Sequence, residues 1–194
     1  GTFTPKDWSV DVGYARKLTD DLSVGATARF IRSDMSGLDK DDVANAVAFD
    51  LGLYYRRNFE NWEQSQWAVG LQASNFGTKI DYGYGKYDQA SKVAAGGMID
   101  HVFTDKHRLQ GTLDVACQVL PNTNWGGSVG VEYTLLQIVA IRGGYHYGEQ
   151  DNKLQRYGTL GCGVGCHHIK ADFAYLIPEK DSLLKNTWQV ALSI

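Results

Sequence analysis

The stretch WSVDVGYARKLTDDLSVGATARFIRSD, residues 8–34, decides the fold class of this protein. In its first half, large apolar residues alternate with small or polar ones from Trp8 to Tyr14. After a turn at 19–21, the same alternation resumes from Leu22 to Phe30. Side chains on a strand point to opposite faces with a period of two. The stretch therefore predicts a β-hairpin with one apolar face and one polar face.

The same alternation continues to the end of the chain and predicts eleven strands in all. The third strand, 44–57, sets Val47, Phe49 and Leu51 against Ala48 and Asp50. The strand at 92–103 has the weakest pattern, because two consecutive glycines interrupt its alternation. Beyond the opening hairpin, the predicted strands are 44–57, 66–76, 92–103, 107–119, 125–135, 137–147, 155–166, 168–177 and a final one that ends at Ile194.

The amino-acid composition narrows the possible fold classes and partners further. The 194 residues include 22 glycines and 11 tyrosines, which suits strands and tight turns. The mean hydropathy of -0.31 and the lack of a long apolar run exclude a helical membrane span, but not alternating membrane strands. A net charge of -3 without a basic face argues against a nucleic-acid partner.

The connections alternate in length, apart from an intermediate link at 58–65. The short ones are 19–21, 104–106, 135–137 and 166–168, and the long polar ones are 34–43, 78–91, 120–124, 148–154 and 178–185. Outer-membrane barrels have short periplasmic turns and longer extracellular loops. The alternation therefore indicates a transmembrane antiparallel up-and-down β-barrel, all-β, whose long loops face the cell surface.

The two faces of the predicted strands support this assignment. Aromatic residues lie near the ends of the apolar face, as expected at a membrane interface: Trp8, Phe30, Tyr55, Trp67, Trp125, Tyr133, Tyr145 and Trp188. The polar face carries charges of both signs: Asp11, Arg29, Asp50, Asp114, Glu132, Arg142, Lys170 and Asp172. We expect these charges to form a polar network that cross-links the inside of the barrel wall, in preference to lining a conduction path.

Residues 1–194 are expected to form one outer-membrane barrel domain embedded in lipid. Bacterial single-chain barrels have an even number of strands. Since eleven is odd and the sequence begins in a predicted loop, we expect further N-terminal strands and a signal peptide to precede Gly1.

The sequence offers little catalytic or metal-binding chemistry. Cys162, Cys166, His167 and His168 suggest a zinc cluster only superficially, since the cysteines lie on the predicted lipid face and the histidines in a turn. GCGVG at 161–165 lacks the strand-to-helix context of a dinucleotide loop. The expectation is a protein that is not an enzyme, with no cofactor and no metal.

Four stretches carry a family resemblance: residues 1–34, AVAFDLGLYYR at 46–56, GLQASNFGTKIDYG at 70–83 and NTWQVALSI at 186–194. In this order and spacing they resemble the PorV/PorQ family, outer-membrane proteins of the type IX secretion system of Bacteroidetes. The sequence departs from the family pattern at Gln89-Ala90-Ser91-Lys92, where a Leu-Pro pair is frequent.

The resemblance implies a FadL-like barrel of about fourteen strands in the whole protein, of which this sequence is the C-terminal portion. It also implies a non-catalytic role: binding the C-terminal signal domain of secreted cargo at the translocon channel protein. The cargo would then pass to the surface attachment complex that contains the sortase PorU.

Aromatic and apolar residues in two long loops are the candidates for partner binding. Tyrosine-rich loops provide a large contact area at modest entropic cost. The candidates are Met35, Leu38, Tyr82, Tyr84 and Tyr87. An alternative function is a FadL-like transporter of hydrophobic small molecules, but it requires an apolar pocket, whereas the predicted inward face is polar.

Overall fold

The computed structural model describes residues 6–35, 43–62, 64–83, 85–149, 156–166, 169–179 and 187–193. These residues form strands joined by turns and loops, and contain no helix long and apolar enough to cross a membrane. The strands are β1 (Lys6–Lys17), β2 (Leu22–Asp34), β3 (Val43–Asn58), β4 (Gln66–Gly77), β5 (Ile80–Asp81), β6 (Lys86–Tyr87), β7 (Lys92–Thr104), β8 (His107–Gln118), β9 (Asn124–Leu135), β10 (Val139–Gly148), β11 (Tyr157–Cys166), β12 (Ile169–Pro178) and β13 (Trp188–Ser193).

Eleven of these strands form one antiparallel up-and-down sheet. Its order is β1-β2-β3-β4-β7-β8-β9-β10-β11-β12-β13, so that each strand lies beside its neighbours in the chain. β5 and β6 form a separate two-stranded hairpin. The predicted all-β fold class and the count of eleven long strands are confirmed. Within the described residues, β1 pairs only with β2 and β13 only with β12.

The strand registers place apolar residues opposite apolar residues and charged residues opposite charged residues. In the β1–β2 pair, Val12 lies opposite Ala28, and Asp11 lies opposite Arg29. In the β2–β3 pair, Ala28 lies opposite Phe49. A shift of one residue would move every side chain to the other face, so this register keeps the apolar and polar faces continuous from strand to strand.

Burial on these faces is the reverse of that in a water-soluble sheet. Leu51 on the apolar face of β3 is 62% exposed, whereas Ala48 on its polar face is 0% exposed. Soluble monomers rarely expose large contiguous apolar patches. Other exposed members of the apolar face are Val10, Val12, Tyr14, Phe49, Leu53, Leu71, Leu113, Val129, Val131, Ile141, Leu160, Val164, Phe173, Val190 and Leu192.

The chain divides into two compact units. Unit 1 comprises residues 1–55, 70–94 and 117–124, and unit 2 comprises residues 56–69, 95–116 and 125–194. The expectation of a single barrel domain over residues 1–194 stays a prediction.

Two local features differ from the sequence-based prediction. β10 begins at Val139 instead of at residue 137, because Leu136 and Gln137 form a turn with φ angles of 55° and 58°. The Ile138 amide closes this turn by donating to the Leu135 carbonyl at 3.0 Å. Such type I′ turns favour Asn and Gly, so the residues of the predicted short connection at 135–137 did not indicate this turn type. The predicted loop 78–91 also contains the β5–β6 hairpin.

Candidate functional site

An arginine joins three strands on the polar face of unit 1. Arg29 Nε donates to Asp11 Oδ1 at 2.9 Å, and Arg29 Nη2 lies 3.6 Å from Asp50 Oδ2. Arg29 Nη1 also donates to Asn75 Oδ1 at 3.0 Å. We call these four residues the Arg29 network. Three of them are members of the predicted polar network.

Asn75 is the member that the sequence analysis missed. Its φ angle of 59° lies in the left-handed region, which Asn tolerates better than most residues. Its backbone amide donates to Asp50 Oδ1 at 2.7 Å, and its side-chain Nδ2 donates to the Ala90 carbonyl at 3.2 Å. Backbone irregularities inside a strand often redirect a side chain in this way. Asn75 therefore connects the Arg29 network to the segment that follows β4.

That segment, residues 77–91, is the covering segment of unit 1. Buried Gln89 donates through Nε2 to the carbonyls of Val47 and Thr78 at 3.0 and 2.6 Å. Ser91, 2% exposed, donates through Oγ to the Asn75 carbonyl at 2.8 Å. These are the positions at which the sequence departs from the Leu-Pro pattern. The polar side chains present here make hydrogen bonds that leucine and proline side chains could not make.

The five loop candidates have different environments. The hydroxyl of Tyr82 donates to Ser33 Oγ at 2.8 Å, which ties the covering segment to β2. Tyr87 is 53% exposed, and its ring meets that of Tyr82 edge-on with centroids 6.0 Å apart. Met35 is half-buried, and the other two candidates, Leu38 and Tyr84, lie outside the described residues.

Unit 2 has its own arginine between two carboxylates. Arg142 lies opposite Glu132 in the β9–β10 register and donates through Nε to its carboxylate. Through Nη1 it also donates to Asp172 on β12, which lies beyond β11 in the sheet order. Gly163 of β11 makes this reach possible, since a Cβ at that position would overlap the Asp172 carboxylate. We call Glu132, Arg142 and Asp172 the Arg142 network.

A further buried carboxylate in unit 2 was not predicted. Asp100 of β7 is 1% exposed and accepts two hydrogen bonds from Arg108, at 2.7 Å from Nε and 2.5 Å from Nη2. Gln66 Nε2 donates to the same carboxylate at 3.0 Å. A fork-shaped pair of this kind satisfies a buried charge. The sequence analysis missed it because Gly96 and Gly97 interrupt the alternation of β7.

The Arg142 network lies between two cavities of unit 2. The larger cavity has a volume of about 520 Å³, and its lining includes Asp100, Lys106, Arg108, Thr134 and Lys170. The smaller has a volume of about 390 Å³, and its lining includes Gln110, Thr112, Ser128, His146 and Thr159. Glu132 and Arg142 line both cavities.

The two remaining predicted members of the polar network do not join these clusters. Lys170 lines the larger cavity, and Asp114 is exposed on β8. Within the part of the chain that the structure describes, neither forms an ion pair. The structure therefore divides the predicted network into two arginine-centred clusters and two separate charges.

Two serine–histidine pairs are the arrangements nearest to catalytic chemistry. Ser128 Oγ lies 2.9 Å from His146 Nδ1, and Ser65 Oγ lies 3.0 Å from His101 Nδ1. Neither histidine has a carboxylate partner in the described hydrogen bonds, so the orienting group of a catalytic triad is not supplied there. In the described residues, no group of three or more His, Cys, Asp or Glu side chains could hold a metal.

The cysteine and histidine candidates are only partly described. Cys162 of β11 is free and exposed. The side chain of Cys166, together with His167 and His168, lies outside the described residues.

Comparison with known proteins gives one finding. Among curated proteins, no significant match is found. A family model described as "Type IX secretion system protein PorV" matches residues 2–124, which is more than half of the chain. With the all-β up-and-down sheet that the structure shows, this match establishes that the chain belongs to the PorV family of type IX secretion system components.

Proposed function

We propose that this protein is a non-catalytic outer-membrane component of the type IX secretion system that binds secreted cargo. It would recognise the C-terminal signal domain of the cargo at the translocon channel protein and pass it to the attachment complex that contains the PorU sortase. Membership of the PorV family supports the secretion-system part of this proposal.

The exposed apolar face is the observation that carries the membrane placement. Its large side chains include Leu51, which is 62% exposed, whereas small residues on the opposite face of the same strand, such as Ala46 and Ala48, are buried. Lipid is the environment in which an outward apolar face and an inward polar face are both favourable. The long strands have 10 to 16 residues, apart from β13, and about 9–11 residues are enough for a tilted crossing.

A charge placed on either face tests the membrane placement. Arginine at a lipid-facing position near the membrane centre costs about 2–4 kcal/mol. Leu51→Arg should therefore lower the unfolding free energy of the lipid-reconstituted protein by about this amount, as measured by urea titration. Gln72→Arg on the polar face is the matched control and should have little effect. Equal effects of the two substitutions would contradict a lipid-facing apolar surface.

Among the described residues of the covering segment, one aromatic side chain is exposed and available to cargo. Tyr87 is half exposed, and its neighbour Tyr82 is held by Ser33. A rigid base beneath an exposed tyrosine lowers the entropic cost of binding. We therefore propose Tyr87 as the central contact, with Met35, Leu38 and Tyr84 as further contacts and Tyr82 as a support.

Co-purification from a native outer membrane tests this surface. Tyr87→Ala should reduce the amount of secreted protein that co-purifies by about tenfold, the effect of a binding hot spot. Leu18→Ala, which truncates a side chain of similar exposure in the turn between β1 and β2, is the matched control and should retain most of it. If the three proteins capture equal amounts, Tyr87 is not the contact. If only lipids or hydrophobic small molecules co-purify, the cargo-binding function is wrong.

The transporter alternative receives no support from the two cavities of unit 2. Both cavities of unit 2 are lined by charged, amide and hydroxyl side chains, together with glycines and a few apolar residues. Transferring a hydrophobic ligand next to such groups would cost them their hydration. The polar lining therefore favours the secretion function over a FadL-like transporter.

A further inference from the structure

We propose that Gln89 and Asn75 are positioning residues of the cargo-binding surface, because they hold the part of the covering segment that carries Tyr87. This inference rests on the proposed cargo-binding function and deepens it. It makes cargo binding depend on residues other than the proposed contacts.

The covering segment folds back on itself as a hairpin. Tyr87 lies opposite Ile80 in its short antiparallel ladder. We call residues 78–82 the first arm and residues 85–89 the second arm. The exposed tyrosine therefore lies on the second arm, and its position depends on how that arm is attached to the sheet.

The first arm is held directly by two strands of the sheet. The Thr78 amide donates to the Val47 carbonyl at 2.9 Å, and Thr78 Oγ1 accepts from the Val47 amide at 3.0 Å. Further along, the Tyr82 hydroxyl donates to Ser33 Oγ at 2.8 Å. These bonds fix the first arm on β3 and β2 without help from the second arm.

The second arm is held through the side chains of Gln89 and Asn75. Gln89 Nε2 donates to the carbonyls of Val47 and Thr78, so one buried amide group ties the second arm both to β3 and to the first arm. Directly after it, the Ala90 carbonyl accepts from Asn75 Nδ2 at 3.2 Å. The exposed tyrosine precedes Gln89 by two residues, so loss of these bonds would release the arm that carries it.

An attached arm favours binding because its residues are already ordered. A surface that is ordered before its partner arrives loses less conformational entropy on binding. If only the attached form binds cargo, the apparent affinity falls in proportion to the attached fraction. A carboxylate in place of the Gln89 amide cannot donate to the two carbonyls and would leave them unpaired in a buried place. The second arm should then be detached in most molecules.

Hydrogen exchange and cargo binding, measured on the same lipid-reconstituted variants, test the proposal. The Tyr82 amide donates to the Gly85 carbonyl across the hairpin at 3.1 Å, so its exchange reports on separation of the arms. In Gln89→Glu this amide should exchange at least about tenfold faster, whereas the Thr78 amide on β3 should stay protected. Gln137→Glu, the same substitution in an exposed turn of unit 2, should change neither amide.

The probe for cargo binding is the C-terminal signal domain of one secreted protein that co-purifies with the wild type. Gln89→Glu should weaken its binding by about tenfold, and Gln137→Glu should leave it unchanged. Asn75→Asp retains the acceptor for Arg29 and a residue type that tolerates a φ angle of 59°, but it loses the donor to the Ala90 carbonyl. It should therefore weaken binding in the same direction but less, by about threefold.

A disulfide can supply the attachment that Gln89→Glu removes. The charged groups of Lys79 and Asp88 lie 3.0 Å apart, so these side chains face each other across the two arms. Lys79→Cys with Asp88→Cys, in a variant whose three native cysteines are replaced by Ala, should join the arms, and mass spectrometry follows the bond. Once formed, the bond should restore slow Tyr82 exchange and cargo binding in Gln89→Glu, and reduction should reverse both effects. A side chain needed only for folding of the sheet would not be replaced in this way.

Two results would overturn the proposal. The first is unchanged exchange of the Tyr82 amide in Gln89→Glu. The second is faster exchange with unchanged cargo binding, under conditions in which Tyr87→Ala loses binding; the proposed function would then stand without this inference. If Tyr87→Ala also retains binding, the cargo-binding surface itself is wrong, so the two failures are distinguishable.

Discussion

The Arg29 network of unit 1 and the Arg142 network of unit 2 each contain one arginine and two carboxylates, but their surroundings differ. In each, one arginine joins two carboxylates from different strands of the polar face. Arg29 has a third partner, Asn75, whose side chain also donates to the Ala90 carbonyl of the covering segment. Arg142 instead lies between two cavities. Asp50 of the Arg29 network also lines a cavity, of about 420 Å³, so the two clusters differ in the hydrogen bonds that join the Arg29 network to the covering segment.

The difference comes from what lies next to each cluster. In unit 1, the side chain of Asp11 is 44% exposed but that of Asp50 only 18%, and the covering segment contributes buried Gln89 and Ser91 nearby. In unit 2, both carboxylates are about one third exposed. Removing one partner of an ion pair costs most where the remaining charge is poorly hydrated. The comparison therefore predicts a structural role for the first network and an accessible one for the second.

The largest expected effect concerns the glycines beside the two networks. A Cβ on Gly77 would overlap the backbone carbonyl of Val47, which can move only with β3. Gly77→Ala should lower the unfolding free energy by about 3 kcal/mol. A Cβ on Gly163 would meet only the mobile carboxylate of Asp172, so Gly163→Ala should cost about 1 kcal/mol. Urea titration of the reconstituted protein measures both.

Gly111→Ala is the control for these substitutions. No atom lies within 4 Å of a Cβ at that position, so its effect should stay within about 0.5 kcal/mol. If Gly77→Ala proves as mild as Gly111→Ala, the close packing of the covering segment on β3 is wrong.

The next effect concerns the arginines. Arg29→Ala should destabilise the protein by about 2–3 kcal/mol, because Asp50 loses its partner in a poorly hydrated place. Arg142→Ala should cost only about 1 kcal/mol, because cavity water can hydrate Glu132 and Asp172. Adding Asp50→Asn to Arg29→Ala should recover part of the loss. If Arg29→Ala and Arg142→Ala lowered the unfolding free energy by the same amount, the proposed difference between the two networks would be wrong.

A smaller effect separates the backbone and side-chain roles of Asn75. Asn75→Ala should cost about 1–2 kcal/mol, since it removes the bonds to Arg29 and the Ala90 carbonyl and places a less suited residue at a φ angle of 59°. Asn75→Gly restores the backbone freedom and should cost less. If Asn75→Gly lowered the stability more than Asn75→Ala, the left-handed backbone conformation would not explain the effect. Thermal unfolding of both variants provides the measurement.

The smallest effect is a pH dependence of the β5–β6 hairpin in the covering segment. The Gly83 amide and the Lys86 ammonium, which both donate to the Asp81 carboxylate, lower the pKa of Asp81. Since the folded pKa is the lower one, this stabilisation is complete above the ordinary value of about 3.9 and is lost as the pH falls through the folded value. The amide chemical shift of Gly83 should follow this titration, and Asp81→Asn should abolish it.

Alternation was sufficient to predict the sheet. It gave eleven strands, and their register pairs Asp11 with Arg29 and Glu132 with Arg142 as neighbours on one face. It failed where the signal is not periodic. The position of the Asn75 side chain depends on an unusual backbone φ angle, which the alternation does not report. Asp100 follows two glycines that interrupt the alternation, so its face of the strand could not be assigned.

The sequence by itself determined the strands, their two faces and the resemblance to one family, because a period of two and the lengths of the connections are local properties. Only the tertiary structure decided which charges meet. Arg142 reaches Asp172 across Gly163 because β11 has no side chain there, and Arg29 meets Asn75 because β4 is irregular at that residue. Contacts of this kind join residues far apart in the chain, so no local pattern records them.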